Sequence, residues 1–225
     1  MPRSRVKAKD TYTPAEVSRI LAKVISVEKA QSASDTVYDP TCGSGSLLLK
    51  VADEAPGEMT LYGQEMDNAT KALAIMNMWL HGYPSAEIKK DNTLSSPHFK
   101  DKDDNSKLKT FDFAVANPPF STKSWSSGFD PANDLYERFK NYGIPPAKNG
   151  DYAFLLHIIR SLKETGKGAV ILPHGVLFRG NVEAQIRQQI IQRGYIKGII
   201  GLPANLFYGT GIPLVLLCWI KKMLI

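Results

Sequence analysis

The sequence predicts an α/β fold: a mostly parallel seven-stranded sheet with helices on both faces and an antiparallel hairpin at its end. Seven short runs of β-branched and aromatic residues recur along the 225-residue chain, and segments with helical apolar spacing separate most of them. Strands that alternate with helices form parallel sheets covered on both faces. The linker "PANLFYGTG" between the last two runs is too short for a helical crossover, so we expect these two strands to be antiparallel.

The leading helix is predicted from "TPAEV". Thr13 is expected as its N-cap and Pro14 as its first residue, with Glu16 completing a capping box. The apolar stripe that follows consists of Val17, Ile20, Leu21 and Val24.

The other elements follow from the same spacing rules. Strands are predicted at 35–39, 59–65, 86–91, 111–117, 168–173, 196–202 and 213–220. Helices are predicted from near Ser46, over 67–81 with Gly82 stopping it, over 150–165, and through Val182, Ile186 and Ile190. The apolar faces of the two longer helices contain Ala69, Ala72, Leu73, Met76 and Trp79, and Tyr152, Leu155, Leu156, Ile159 and Leu162.

Two parts are expected along the chain. Residues 1–34 form a basic N-terminal tail with the leading helix, and residues 35–225 form the main domain. Within that domain, residues 121–149 predict a long loop, and loops of this length in compact domains are usually functional or mobile. Its Trp125 is expected either to touch a nucleic acid or to pack locally.

Composition excludes several classes of protein. A hydrophobic content of 43% and a charged content of 22% are ordinary for a globular protein, and no apolar run has the length of a membrane span or a secretory signal. The net charge of +6 permits a polyanionic partner without requiring one. Two isolated cysteines indicate a reducing compartment, so we expect a cytoplasmic protein. The four histidines lack metal-ligand spacing, so no metal is expected.

A ligand site is predicted where the parallel strands end, because ligands bind beyond the carboxyl ends of such strands. The first strand runs into "DPTCGSGSLLL", in which Asp39, Gly43, Ser44 and Gly45 lead into a helix. Glycines there allow a ligand to approach the backbone, and the helix start presents free N–H groups. Taken alone, such a turn is also common as a plain connection between strand and helix.

The next two strands also end in acidic residues. Glu65, in "GQEMD", is placed to accept hydrogen bonds from ribose hydroxyls, and Met66 could cover a purine face. Asp91, in "KKDNTL", could accept a hydrogen bond from an exocyclic amine. A second interpretation is that Asp67 or Asn68 simply caps the following helix, which is compatible with the first.

The fourth strand ends in "NPPF", which is an unusual turn. The Asn117 side-chain oxygen and the Pro118 carbonyl can both accept hydrogen bonds, and Pro118 with Pro119 stiffens the backbone that holds them. Two acceptors on one –NH₂ group draw its nitrogen toward tetrahedral geometry and make its lone pair available for attack on an activated methyl group. Phe120 could stack on the ring that carries this amine.

Seven motifs, in this order, resemble the N6-adenine DNA methyltransferases, and more narrowly the modification (M) subunit of type I restriction–modification systems. They are "YTPAEV", "DPTCGSGSLLL", "GQEMD", "NPPF", "GDYAFLLHIIRSL", "GAVILPHGVLFRG" and "LFYGTGIP". The resemblance covers roughly residues 11 to 220. It implies a Rossmann-like S-adenosylmethionine-dependent methyltransferase fold, with 35–225 as the catalytic core, and methyl transfer to adenine N6 of a flipped-out base in double-stranded DNA.

The resemblance also implies roles for individual residues. The methionine part of S-adenosylmethionine would be held by Tyr12, Thr13, Asp39, Thr41, Gly43, Ser44 and Gly45. The adenosine part would be held by Glu65, Met66, Asp91 and Asn92. Phe154 would help to wall the cofactor pocket, and Asn117 would also contact the cofactor. Asn117 and Pro118 would hold the target amine, Pro119 would complete this catalytic segment, and Phe120 would stack on the target base. Phe207 would contact that base from another side or, equally, pack under the hairpin.

The family implies partners as well. Its members assemble with a specificity (S) subunit, a second M subunit and the restriction (R) subunit. The S subunit docks largely through helical regions before "YTP" and after the last strand. This chain has neither region, so we expect little sequence-specific methylation by the chain alone. Two other classes stay open: a methyltransferase acting on a protein glutamine or an RNA base, and a non-catalytic scaffold.

Overall fold

The computed structural model describes residues 13–30, 34–207 and 211–220, and the strands and helices lie within these ranges. The strands are β1 Thr36–Asp39, β2 Thr60–Glu65, β3 Glu87–Lys90, β4 Phe111–Ala116, β5 Leu162–Pro173, β6 Ile196–Gly201 and β7 Leu214–Ile220. The α-helices are α1 Ala15–Val24, α2 Ser46–Asp53, α3 Asn68–Leu80, α4 Asp151–Arg160 and α5 Val182–Gln192. No helix among these described residues is long and apolar enough to cross a membrane.

The strands of the described residues form one seven-stranded sheet in the order β3-β2-β1-β4-β5-β7-β6. The pairs β1–β2, β2–β3, β1–β4 and β4–β5 are parallel. Strand β7 runs antiparallel to both β5 and β6. The predicted mostly parallel sheet with a terminal antiparallel hairpin is therefore confirmed.

Both faces of the sheet are covered, as β4 shows most directly. Phe113 and Val115 pack into a first apolar cluster with residues of α1, α2 and α3. Ala114 and Ala116 pack into a second apolar cluster with residues of α4 and α5. Successive side chains of a strand point to opposite faces, so a run of small and apolar residues suits a strand buried on both sides.

The start of α1 differs from the prediction. The helix begins at Ala15, its N-cap is Pro14, and no side chain caps it, so the expected capping box of Thr13 and Glu16 does not form. The Thr13 hydroxyl instead accepts a hydrogen bond from the Asn117 side chain, and a tertiary contact has replaced the local one. Val17 and Leu21 are buried as expected.

Helix α4 is shorter than predicted, because β5 begins inside the segment that was predicted to be helical. The helix ends at Arg160, and Leu162, expected on its apolar face, is the first residue of β5. Leu162 pairs with Phe111, and the Lys163 ammonium contacts the Asp112 carboxylate at 2.8 Å. Pairing with β4 therefore overrides the helical period of this segment.

The bounds of helix α3 agree with the prediction to within one residue, but its buried face does not. Its buried residues are Ala74 and Met78, whereas Leu73, Met76 and Trp79 are 47%, 57% and 67% exposed. The helix is apolar on both sides, so the spacing alone does not select the face that packs. The glycine turn after β1 selects it, since Met78 packs directly against that turn.

The predicted long loop, residues 121–149, contains one 3₁₀ turn, Pro131–Asn133, and neither a strand nor an α-helix. Part of this loop is packed, because Trp125 and Phe139 belong to the second apolar cluster. Trp125 is 3% exposed and its indole N–H donates to the Pro146 carbonyl at 2.9 Å, so its structural role is local packing. Arg138 is 2% exposed and forms a hydrogen-bonded ion pair with Asp134 at 2.6 Å.

Candidate active site

The carboxyl ends of β1, β2 and β3 are joined by hydrogen bonds at one edge of the sheet. The Cys42 amide, in the turn after β1, donates to the Gln64 carbonyl of β2 at 3.0 Å. The Asp91 amide, after β3, donates to the Glu65 carbonyl at 3.0 Å. The three strand ends that the sequence singled out are therefore brought together by the backbone itself.

The two glycines of the turn after β1, Gly43 and Gly45, have different surroundings. Both have positive φ, +53° for Gly43 and +78° for Gly45, which suits glycine. A Cβ at Gly45 would lie 2.4 Å from the terminal methyl group of Met78, so a side chain at this position would have to displace the end of that methionine of α3. A Cβ at Gly43 would meet nothing within 4 Å, so Gly43 lies on the open side of the turn, where a ligand can approach the backbone.

Glu65 connects the strand end to the glycine turn. One of its carboxylate oxygens accepts the Gly43 N–H at 3.1 Å and the other accepts the Asp67 N–H at 2.8 Å. Each carboxylate oxygen has a second lone pair, so the group can still accept hydrogen bonds from a ligand. Asp67 also caps α3 by accepting the Thr70 N–H, as the second interpretation proposed.

Asp39 is a buried carboxyl group at the end of β1, 2% exposed. Its Oδ1 accepts the Thr41 N–H at 2.9 Å. Burial raises the pKa of Asp39 to about 7; the hydrogen bond from Thr41 opposes this rise and the negative charge of Glu65 adds to it. Two neighbouring carboxyl groups, one of them buried, favour a ligand that carries positive charge.

Ser44, Asp91 and Asn92 are held mainly by local contacts. The Ser44 hydroxyl lies 2.7 Å from that of Ser46, and the Ser44 carbonyl accepts a hydrogen bond from Asn77 of α3. Asp91 accepts the Asn92 N–H, and its half-exposed side chain lies 3.7 Å from the His98 ring. The Asn92 side-chain oxygen accepts the Leu94 N–H at 2.9 Å, which stabilises the turn after β3.

Residues 117–120, which we name the catalytic turn for the role proposed for them below, begin directly after β4. Asn117 Nδ2 donates to the Thr13 hydroxyl at 2.9 Å, so the amide group has a fixed orientation in which its oxygen is the acceptor end. Pro118 is buried and Pro119 is exposed. The Pro119 carbonyl accepts a hydrogen bond from the Thr122 hydroxyl at 2.9 Å. Phe120 is partly buried against the first apolar cluster.

The remaining predicted residues fall in three kinds of place. Met66, beside Glu65, is 66% exposed. Phe154 of α4 and Phe207 are 5% and 3% exposed, in the second and first apolar clusters respectively. Phe207 therefore adopts the packed arrangement, and its contact with a substrate stays a prediction. Tyr12 lies outside the described residues.

A buried carboxylate beside the catalytic turn was not predicted from the sequence. Asp151, the first residue of α4, is 1% exposed and accepts the Ser121 N–H at 2.7 Å. The guanidinium of Arg179 donates to its other oxygen at 2.6 Å. The available signal was a single acidic residue at the start of the otherwise apolar segment "DYAFLLHII", because such a carboxylate needs partners when it is buried.

The sheet order, the glycine turn and the acidic strand ends define the class: this is the fold of the S-adenosylmethionine-dependent methyltransferases. A putative class I S-adenosylmethionine-dependent methyltransferase of Listeria monocytogenes shares that fold, with a TM-score of 0.73 at 18% identity, covering 97% of this chain and 63% of that one. The type I restriction-modification methyltransferase subunit of Streptococcus thermophilus has a TM-score of 0.83 at 35% identity, covering 94% of this chain and 44% of that one.

The chain belongs to the N-6 DNA Methylase family, whose family model matches residues 3–223. It is 36% identical to the type I restriction enzyme MpnII methylase subunit of Mycoplasma pneumoniae, over 89% of this chain and 38% of that protein. It is 31% identical to the MjaIX methylase subunit of Methanocaldococcus jannaschii, over 94% of this chain and 37% of that protein. The chain thus spans less than half the length of these relatives.

Proposed function

We propose that this chain transfers a methyl group from S-adenosylmethionine to the N6 amine of an adenine flipped out of double-stranded DNA, as a modification subunit of a type I restriction–modification system. The observation that carries the proposal is the fixed orientation of the Asn117 amide, beside strand ends that carry Asp39 and Glu65. The relatives named as type I methylase subunits support the reaction and the substrate class.

The described residues fit S-adenosylmethionine, which when bound supplies an activated methyl group. The open side of the turn at Gly43 admits a ligand to the backbone, and the carboxyl of Asp39 suits a ligand with positive charge. The free lone pairs of Glu65 suit the ribose hydroxyls. Around these we assign Thr13, Thr41, Ser44, Gly45, Met66, Asp91, Asn92 and Phe154 to the same pocket.

The catalytic turn prepares the amine. The Asn117 side-chain oxygen and the Pro118 carbonyl accept its two N–H groups, which holds the nitrogen with its lone pair directed away from both acceptors. The nitrogen would form its new bond to the methyl carbon while the bond from that carbon to the sulfonium sulfur breaks and leaves its electron pair on the sulfur. The nitrogen would then lose one proton to solvent. No group of the turn has to act as a general base, because the amine carries excess positive charge only after the bond has formed.

The aromatic ring of the turn contributes to binding of the flipped base. Flipping costs a few kcal/mol, and stacking on an aromatic ring contributes ~1–3 kcal/mol per base. Phe120, partly buried on one side, supplies one such ring. Phe207 would supply a second only if it leaves the packed position that it has in this structure.

We further propose assembly with a specificity subunit, a second copy of the modification subunit and the restriction subunit, in the cytoplasm. The names of the relatives support the assembly, and the two free, buried cysteines suit a reducing compartment. The net charge of +6 suits a DNA partner.

Labelled methyl transfer to duplex DNA, RNA and protein tests the reaction, with the chain assayed alone and with its specificity subunit. We expect label in adenine of duplex DNA, mainly in the reconstituted assembly. Calorimetric titration with S-adenosylmethionine tests the pocket independently: Glu65→Ala should weaken binding by about tenfold or more, since a charged hydrogen-bond partner is lost. Glu87→Ala, an exposed carboxylate on β3, is the matched control. Label in RNA or protein, or no cofactor binding, would contradict the proposal.

A further inference from the structure

We infer that Asp151 is a positioning residue. It fixes the backbone at Ser121, where the chain leaves the catalytic turn, and Arg179 in turn fixes the Asp151 carboxylate. The inference rests on the proposed function, because it takes residues 117–120 to be the segment that grips the target amine. Asp151 is not a predicted ligand of the cofactor or of the base, and its role is exerted through Ser121.

The first contact is made immediately after Phe120. The Ser121 N–H donates to Asp151 Oδ1 at 2.7 Å, and Asp151 is 1% exposed. Hydrogen bonds to an ionised carboxylate are stronger than those between neutral groups, and burial shields this one from competing water. The backbone that follows Phe120 is therefore fixed to Asp151, the first residue of α4.

The conformation of Ser121 requires such a contact. Its φ is +48°, in the left-handed region that residues other than glycine rarely adopt. A serine keeps this conformation only where its surroundings hold it. The next residue is also attached to the start of α4, because the Gly150 N–H donates to the Thr122 carbonyl at 3.0 Å.

Arg179 completes the arrangement from the loop after β5. Its Nη2 donates to Asp151 Oδ2 at 2.6 Å, and its Nε donates to Glu183 at 2.5 Å. Both carboxylate side chains are nearly fully buried, at 1% and 3% exposure. With one oxygen on Arg179 and the other on Ser121, the Asp151 carboxylate cannot rotate without losing a bond.

The two carboxylates provide a matched pair for an experiment. Asp151 and Glu183 bind the same guanidinium, and Asp151 in addition accepts the hydrogen bond from the exit of the catalytic turn. A variant of Glu183 therefore loses only an ion pair to Arg179. A variant of Asp151 loses an ion pair to Arg179 and also the hydrogen bond from the Ser121 N–H.

The test is ¹⁹F NMR of the chain labelled with 4-fluorophenylalanine, with the Phe120 resonance assigned by Phe120→Leu. Asp151→Ala should shift or broaden the Phe120 resonance, and Glu183→Gln should leave it within one linewidth of the unsubstituted chain. Asp151→Asn, which keeps an oxygen but loses the charge, should change it in the same direction by a smaller amount, and it carries the test if Asp151→Ala does not fold. A Phe120 resonance unchanged in the folded Asp151 variants, or changed equally by Glu183→Gln, would overturn the inference.

Methyl transfer adds a kinetic test that separates the inference from the proposed function. In the assembly, Asp151→Asn should lower kcat about tenfold or more while the Kd for S-adenosylmethionine stays within about twofold, and Glu183→Gln should keep kcat within about threefold. A loss of cofactor affinity that accounts for the lower activity would count against a positioning role. If the unsubstituted assembly methylates nothing, the proposed function fails, and the NMR result still decides whether Asp151 holds the turn.

Discussion

The Thr13 hydroxyl accepts a hydrogen bond from Asn117 Nδ2 at 2.9 Å, and this contact joins two residues that lie 104 positions apart in the chain. It links the segment before α1 to the turn after β4. Because the Asn117 amide donates at this end, its oxygen is the end that can accept the hydrogen bond of a target amine. The orientation of the proposed catalytic side chain thus depends on a residue outside the sheet.

Replacing Thr13 by Val should therefore impair the transfer step. The variant keeps the shape of the side chain but loses the acceptor for Asn117, and a neutral hydrogen bond of this kind contributes about 1 kcal/mol. The expected result is a single-turnover methyl-transfer rate about fivefold lower. Thr13→Ser, which keeps the hydroxyl, is the control and should retain most of the rate. An undiminished rate for Thr13→Val would show that this contact does not orient the amide.

Substitutions at the two glycines of the turn after β1 should differ in their effects on stability and on cofactor binding. Gly45→Ala should lower the free energy of unfolding by more than about 2 kcal/mol, because its Cβ would clash with Met78 as well as occupy a left-handed conformation. Gly43→Ala should cost about 1–2 kcal/mol, from the positive φ alone, but should weaken cofactor binding. Urea unfolding and calorimetry measure the two effects, and equal losses of stability would contradict this division of roles.

The stability of the ligand-free chain should contain a pH-dependent term from Asp39. The folded-state pKa of about 7 lies above the ordinary value of 3.8, so unfolding releases a proton in the interval between them. The stabilising contribution of Asp39 to the free energy of unfolding is therefore fully present below about pH 4 and is lost as the pH rises through 7. Asp39→Asn removes the loss, so the stability of the variant relative to the unsubstituted chain should rise by on the order of a few kcal/mol between pH 4.5 and pH 7.5.

Urea unfolding at a series of pH values in this interval checks the Asp39 prediction. Asp101→Asn, at an aspartate in the turn of the 100–109 segment, serves as the control because its side chain accepts only local backbone hydrogen bonds. A difference between Asp39→Asn and the unsubstituted chain that stays constant across the interval would mean that Asp39 keeps an ordinary pKa in the folded chain.

Arg138 should be a major stabilising residue of the long loop, residues 121–149. It is 2% exposed, is paired with Asp134, and lies 3.4 Å from the ring of buried His157. Arg138→Met leaves the Asp134 carboxylate buried without its cation, which should lower the free energy of unfolding by about 3–5 kcal/mol. Lys140→Met, at an exposed pair with Glu137, should change it by less than about 1 kcal/mol. Comparable changes in the two variants would contradict the buried-pair account.

The sheet could be predicted from the sequence because its signals are local. Most strands contain a short run of β-branched or aromatic residues, and the linker before β7 is too short for a crossover. The number of strands and the direction of the hairpin could therefore be predicted. The carboxyl ends of parallel strands meet at one edge by geometry, so Asp39, Glu65 and Asp91 could be grouped without coordinates.

The features that could not be predicted depend on contacts between distant segments. The face of α3 that packs is chosen by the glycine turn, the end of α4 by pairing of Leu162 with Phe111, and the partner of Thr13 by the fold of β4. The role of Asp151 required the same information, because neither Ser121 nor Arg179 is its neighbour in sequence. The spacing of residues within one segment contains no information about contacts with distant segments.

The most direct test of the central claim is the effect of Asn117→Ala on two quantities measured in the same preparation. We predict that the single-turnover rate of methyl transfer to duplex DNA falls by about 100-fold or more, the size of effect seen when one preorganised hydrogen-bonding group is removed from a reacting centre. The Kd for S-adenosylmethionine should stay within about threefold. Methyl transfer at the rate of the unsubstituted protein would contradict the claim, because the amine would then be held by something other than this turn.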